Sequence, residues 1–305
     1  MTAIGTWLDA LRLKTLPLAL SCIFMGSSLA FYFGYFDATI MLLATLTTLF
    51  LQVLSNLAND YGDAQKGTDG EGRLGPLRAV QSGMITEKSM KLAVVLFALL
   101  SLASGITLLM VSFSSLSLAM LIFLGLGIGA IAAAIKYTVG DNAYGYRGLG
   151  DLFVLIFFGF IGVLGSFYLY AGLVFMSLFL PALAIGVFAM GVLNLNNLRD
   201  IDNDRASGKI TIVVKYGASF SKKYHLFLLA VGWLSALLFS VIHFKHPVQL
   251  IYILSLPIFY KNAQKVMVYN NPKELIPSLK QLALGTFVFT LLFGLGLALT
   301  SFISQ

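Results

Sequence analysis

Carboxylates gather at two places in a chain that is otherwise oily. The first runs Asn56-Leu-Ala-Asn59-Asp60-Tyr-Gly-Asp63 with Asp69 beyond it, and the second runs Asn196-Asn197-Leu-Arg199-Asp200-Ile-Asp202-Asn-Asp204. Each closes a long apolar run, so charge sits where bilayer would meet water, a costly placement unless something positive is bound. Residues three or four apart share a helix face, which puts Asn56, Asp60 and Asp63 on one stripe and Asn196, Asp200 and Asp204 on another. Hard oxygen ligands without Cys or His clustering select Mg2+ or a similar ion, which keeps waters and takes one or two carboxylates plus substrate phosphates. Two facing carboxylate pairs imply a diphosphate between them. The plainer reading of any single aspartate here is a helix cap or a partner for a loop Lys or Arg; four in doubled, asparagine-flanked stripes outweigh it. Asp202 falls on the other helical side and suits a cap or a pair with Arg199 or Arg205, while Asp69 is a more distant candidate ligand.

The nearby cations are Lys66, Arg73 and Arg78 in one loop and Arg199, Arg205 and Lys209 in the other. A departing diphosphate gains negative charge as its carbon–oxygen bond breaks, and fixed cations aimed there stabilise it. Enforcing membrane topology is the competing role for about half of them.

The elements that must position these groups follow from apolar stretches close to the ~20 residues needed to span a bilayer. Nine helices are expected, over 16–36, 38–59, 89–111, 115–136, 151–170, 175–197, 222–243, 247–263 and 282–303. Segment 247–263 is short and holds Pro257. With the N-terminus cytoplasmic, 19 of the 20 Lys and Arg fall on the inner side and Lys245 alone outside, the segregation expected of loops facing the cytoplasm. At 58% hydrophobic and 11% charged residues, the chain has too few charges to cover a soluble globule, so a multi-pass membrane protein is expected. All of 1–305 reads as one domain, an all-α bundle whose two motifs could face each other across a central cavity. The net charge of +7 reads as topology and attraction to anionic headgroups; no basic stripe interleaved with aromatics points to nucleic acid. Cys22 is alone and can form no intrachain disulfide. The first apolar segment is of spanning length and follows Arg12 and Lys14, so it reads as helix one rather than a cleaved signal. A faint repeat relates Asn56, Asp63 and Gly67 to Asn197, Asp204 and Gly208, so the two motifs are expected to face each other at one end of the bundle.

Asn59-Asp60-Tyr-Gly-Asp63 and Asp200-Ile-Asp-Asn-Asp204, at the ends of the second and sixth expected helices, resemble the two aspartate-rich motifs of the UbiA superfamily of intramembrane aromatic prenyltransferases. Within it, the run through Lys66-Gly67-Thr-Asp69 to Arg73-Leu-Gly-Pro-Leu-Arg78, then Tyr144-Gly-Tyr-Arg-Gly-Leu-Gly-Asp151 and Leu-Arg199 to Lys209, resembles the 1,4-dihydroxy-2-naphthoate prenyltransferases, as does Arg12-Leu-Lys-Thr-Leu-Pro17. The likeness covers essentially the whole chain. Ile210 stands where that family usually has Arg, and 137–143 reads Tyr-Thr-Val-Gly-Asp-Asn-Ala in place of a glycine- and proline-bearing segment.

The resemblance implies transfer of a polyprenyl group from its diphosphate to 1,4-dihydroxy-2-naphthoate with loss of CO2, giving demethylmenaquinone, at the inner membrane. The central cavity would open to the cytoplasmic side and laterally to lipid, where a long isoprenoid tail is soluble. Asp60 and Asp63 would hold one Mg2+ and Asp200 and Asp204 another, with Asn56 and Asn197 in support and Asn59 a further substrate-binding candidate. Arg12, Lys66, Arg73, Arg78 and Lys209 are candidates for phosphate or acceptor contacts. Tyr137, Tyr144 and Tyr146 could stabilise an allylic cation through their ring faces or serve as interfacial anchors. Transfer to 4-hydroxybenzoate or of a phytyl group is the alternative within the superfamily. An ion-coupled transporter is the alternative outside it, though that would place its carboxylates nearer the bilayer midplane.

Overall fold

Every stretch expected to be apolar and spanning is helical in the computed structural model, which describes residues 3–66, 78–141 and 143–303. The helices are α1 (Ala3–Leu11), α2 (Leu16–Tyr32), α3 (Ala38–Lys66), α4 (Glu87–Ser112), α5 (Leu118–Lys136) and α6 (Gly150–Ala171). They continue with α7 (Phe179–Arg199), α8 (Ile201–Ala206), α9 (Ile212–Ile242), α10 (Leu256–Val268) and α11 (Leu275–Ile303). Among the described residues, eight helices are long and apolar enough to cross a membrane: α2 with the helix before it, α3, α4, α5, α6, α7, α9 and α11.

The ninth expected span, 247–263, is not among these eight: it is helical but divided, a correction to its reading as a single spanning helix. Pro247–Ser255 winds as a 3-10 helix, and the chain relaxes into the wider turns of α10 only afterwards. Pro257 sits at the start of α10, where its missing N–H breaks no hydrogen bond. Further back, α9 begins ten residues earlier than expected, at Ile212, capped by the Thr211 hydroxyl, which accepts from Val214 N–H at 3.2 Å, and it kinks at Gly217.

Two groups of helices share the work. On one side α7, α9, α10 and α11 bury a continuous aromatic core in which Phe188 meets Phe259 at 4.6 Å and Trp233 meets Phe289 at 5.4 Å between centroids. On the other, α3 packs along α4, and α5 leans on both. Lipid supplies no hydrophobic drive between helices, so such contacts rest on close packing. α2 joins the groups, lying against α11, α3 and α6. In the middle of α6 the turns of Leu155–Gly165 widen to a π-helix, a form that occurs at functional sites in otherwise α-helical segments.

Candidate active site

α3 runs unbroken through Lys66, so Asn56, Asp60 and Asp63 do share a stripe. The second motif departs from expectation. α7 ends at Arg199 and α8 starts at Ile201, with Asp200 between them at φ −100, ψ 12. The kink follows from local pairing: Arg199 turns on its neighbour, its Nε donating to Asp200 Oδ1 at 2.8 Å and its Nη2 to Oδ2, while Nη2 also reaches Asn196 Oδ1 at 2.9 Å. Asp204 N–H still donates to Asp200 C=O at 2.8 Å, so Asp204 stays one turn on from Asp200 across the break. Arg199 is therefore the partner of Asp200, and the exposed Asp202 pairs with Arg205 at 3.8 Å.

The two motifs meet. The loop between α5 and α6 lies between them, and Tyr146 ties all three together. Its hydroxyl donates to Asp63 Oδ1 at 3.0 Å, its carbonyl accepts from Ile210 N–H at 3.0 Å, and Lys66 Nζ and Lys209 Nζ lie 3.9 and 5.9 Å from its ring centroid. Lys209 Nζ also binds Asp204 Oδ1 at 3.2 Å. Gly208, at φ 72, lets the chain turn back so that Lys209 reaches that oxygen. Arg78 reaches Asp63 Oδ2 at 3.5 Å, and the next residue, Ala79, donates its N–H to Asp60 Oδ2 at 3.3 Å. Asp69 and Arg73 lie outside the described residues.

Burial sets the electrostatics. It pushes the Asp204 carboxyl up to about 6, with Asp200 and Asp63 raising it further and Lys209 pulling the other way. Burial alone would draw Lys209 down, but Asp204 beside it prevails and leaves its ammonium above the ordinary value. The Tyr137 and Tyr144 phenols are both held above theirs by burial, so they are neutral hydroxyls.

Several expected residues have other employment. Asn56 Nδ2 donates to Leu11 C=O at 2.9 Å and Thr15 Oγ1 at 3.0 Å, which fastens α3 to the bend between α1 and α2. Arg12 forms that bend at φ 50, the one non-glycine positive φ among the described residues, a conformation that needs outside support and concentrates at functional sites. Asn59 Oδ1 accepts from Thr138 Oγ1 at 3.2 Å. Tyr144 stacks on Phe153 at 4.0 Å and packs edge-on to Tyr137 at 5.3 Å. Tyr146 has its ring under Lys66 and does not line the cavity described below. Thr138 and Gly62 were not singled out from sequence, although Gly62 lies inside the first motif: a Cβ there would fall 2.7 Å from Thr138 Oγ1.

Beside this cluster an apolar cavity of about 500 Å3 runs into the bundle, with Arg12, Asn56, Asn59, Tyr137, Tyr144 and Asn196 among its polar lining. Among the described residues no three His, Cys, Asp or Glu side chains form a metal nest by themselves. The donors nonetheless suit Mg2+. They are hard oxygens, and Asn197 Oδ1 and Asp204 Oδ2 are buried with no hydrogen-bond partner among the described residues, a costly state that a hydrated cation shared with phosphate oxygens would relieve.

A multi-span bundle with paired acids and lysines clustered beside an oily cavity, whose polar lining includes Asn59 and Asn196 of the same two motifs, defines an intramembrane enzyme for a substrate with a charged head and an apolar tail. Residues 19–291 match the UbiA prenyltransferase family, and this chain belongs to it and is a prenyltransferase. It is 45% identical to 1,4-dihydroxy-2-naphthoate octaprenyltransferase of Escherichia coli (strain K12), over 96% of this chain and 95% of that one. A protein of the same name from Haemophilus influenzae is also 45% identical, over 95% of each chain. Among solved structures, an apo UbiA homolog from Aeropyrum pernix K1 superposes with TM-score 0.70 at 16% identity, covering 94% of this chain and 98% of that one. A UbiA homolog from Archaeoglobus fulgidus bound to DMAPP and Mg2+ gives 0.63 at 17%, covering 96% and 99%.

Proposed function

We propose that the protein transfers a polyprenyl chain from its diphosphate to 1,4-dihydroxy-2-naphthoate with loss of CO2, the step that makes demethylmenaquinone, and that it needs Mg2+. The observation that carries this reading is the meeting of both acid motifs, through Tyr146 and Lys209, beside an apolar cavity that Asn59 and Asn196 of the same motifs line. The relatives at 45% identity bear the name of that activity.

Asp60, Asp63, Asp204 and Asn197 would hold Mg2+, with Asp200 available if Arg199 yields and Asp69, six residues on from Asp63 in sequence, a further candidate. The ion supplies charge neutralisation of the diphosphate, so that it can leave with the electron pair of the carbon–oxygen bond. Lys66, Lys209 and Arg78 take up the charge gained by the departing group. The apolar wall keeps water from the allylic cation, and the Tyr137 and Tyr144 rings at the cavity mouth offer it their faces. A ring carbon of the naphthoate then forms the new bond, and its carboxylate departs as CO2. Arg12 at the bend beside the cavity is placed to receive that carboxylate before it leaves.

The charge segregation supports a cytoplasmic N-terminus, with this site facing the cytoplasm from the inner membrane. Incubating purified protein with 1,4-dihydroxy-2-naphthoate, octaprenyl diphosphate and Mg2+ should yield a prenylated product lighter by CO2, detected by mass, and none when metal is omitted. Absence of that product with metal present would refute the reading.

A further inference from the structure

Beyond Asp204 the chain carries nine lysines and a single acid, Glu274. That acid is used within its own turn, where its Oε1 accepts from Asn271 N–H at 3.1 Å. Apart from Lys209, which binds Asp204, none of these lysines pairs with a carboxylate among the described residues. Lys222, Lys261 and Lys265 lie on α9 and α10, which pack side by side.

The seam between these two helices is fixed from behind. His225 and Asn262, both fully buried, meet Nε2 to Oδ1 at 2.9 Å, and Asn262 Nδ2 donates to Ser278 C=O at 2.8 Å, so the histidine Nε2 is the donor to Asn262. At the C-terminal end of α10, Lys222 Nζ donates to the Met267 and Tyr269 carbonyls at 3.1 Å each and lies 4.1 Å from the Tyr269 ring centroid. On its outer side the seam forms a groove of about 590 Å3, outside the central cavity. Leu226 of α9 and Tyr260, Met267 and Val268 of α10 give it an apolar lining, and Lys261 and Lys265, one helical turn apart, stand along it. Tyr260 and Val268 are 62% and 72% exposed, so bare apolar surface and ammonium groups without carboxylate partners lie side by side on a rigid support.

Net positive charge attracts anionic headgroups to a whole face without choosing a position, whereas a groove chooses one. A free phosphate would meet the two ammonium groups and leave the apolar lining bare, and a neutral lipid would do the reverse. A lipid with an anionic phosphodiester head satisfies both, and basic pockets between spanning helices suit such heads. We propose that the groove between α9 and α10 binds one anionic phospholipid, its phosphate against Lys261 and Lys265 and an acyl chain along Leu226 and Tyr260. The lysine stems lie along the apolar wall while their ammonium groups reach towards the headgroup level. The site stands whatever group the enzyme transfers.

Protein released for native mass spectrometry from nanodiscs of phosphatidylglycerol and phosphatidylcholine in equal parts should retain phosphatidylglycerol. The double variant Lys261→Gln, Lys265→Gln should retain it roughly tenfold less, each lysine near a headgroup being worth about fivefold. Lys215→Gln with Lys273→Gln removes the same charge from exposed positions outside the groove and should change retention by less than about twofold. Equal losses in the two double variants would reduce the attraction to net charge and overturn the site, as would equal retention of phosphatidylcholine. A second measurement needs no variant. In vesicles, phosphatidylglycerol with a diazirine in its acyl chain should on irradiation label Leu226 and Tyr260 above Leu92 and Leu99, exposed residues of α4. Even labelling of all four would leave only bulk lipid, and loss of the preference in excess inorganic phosphate would assign the lysines to a soluble anion; either result overturns the site.

Discussion

The Tyr146 hydroxyl donates to Asp63 Oδ1 at 3.0 Å, a bond that joins the loop after α5 to the first acid motif. The same ring carries Lys66 Nζ at 3.9 Å, so hydroxyl and ring serve different partners. Tyr146→Phe should raise the KM for Mg2+ severalfold and leave that for the prenyl diphosphate near wild type. Tyr146→Leu, which also removes a cation–π contact of ~0.5–1 kcal/mol, should raise the diphosphate KM by roughly two- to fivefold as well. Steady-state kinetics with each component varied in turn separate the two; indistinguishable variants would mean that the ring does not seat the lysines.

Gly62 is the point where α3 approaches the loop after α5. An added Cβ would lie 2.7 Å from Thr138 Oγ1 and 2.8 Å from the Thr138 carbonyl carbon, and the second of these is backbone that cannot swing aside. Gly62→Ala should cost ~1–3 kcal/mol through overpacking, read as a lower midpoint of thermal unfolding. Gly129→Ala, also on a helix but with open space around it, should leave the midpoint unchanged or raise it. Equal midpoints for the two variants would count against the close approach.

Asn56 was expected to assist the metal, yet both of its donated bonds go to the bend that holds Arg12. Asn56→Ala should therefore destabilise the protein by ~1–3 kcal/mol by orphaning buried acceptors, and should raise the KM for the aromatic acid more than that for Mg2+. A variant impaired chiefly in its Mg2+ response would restore the metal-supporting role.

The legible features of this chain are those fixed by local composition. Apolar runs near spanning length gave the helices, and carboxylates at their ends gave the motifs, because both signals are written in contiguous residues. The break at Asp200 was hidden because it depends on Arg199 folding back on its neighbour, a choice that periodicity does not record. The early start of α9 was hidden because polar residues at 212–221 dilute the apolar signal while a Thr211 cap still starts a helix. The division at Ser255 had a visible cue in Pro257, but the 3-10 winding before it did not. In sequence Tyr146 reads as a cation-stabilising ring or an interfacial anchor; its tie to Asp63 bridges 83 residues of sequence and is visible only in three dimensions.

Arg199 and Asp200 are both buried, and the arginine holds both carboxylate oxygens. If Asp200 also serves Mg2+, the guanidinium and the metal compete for the same oxygens. Arg199→Met removes the competitor and leaves a buried carboxylate uncompensated, which should cost ~3–5 kcal/mol in the metal-free protein. Adding Mg2+ with pyrophosphate would then return part of that stability, so the rise in unfolding midpoint on addition should be larger in the variant than in wild type. An equal rise in both proteins would assign Asp200 to Arg199 alone and confine the ligands to Asp60, Asp63, Asp204, Asn197 and Asp69. The double variant Arg199→Met, Asp200→Asn supplies the contrast: it relieves the stranded charge, recovers stability without metal, and should show no enlarged response.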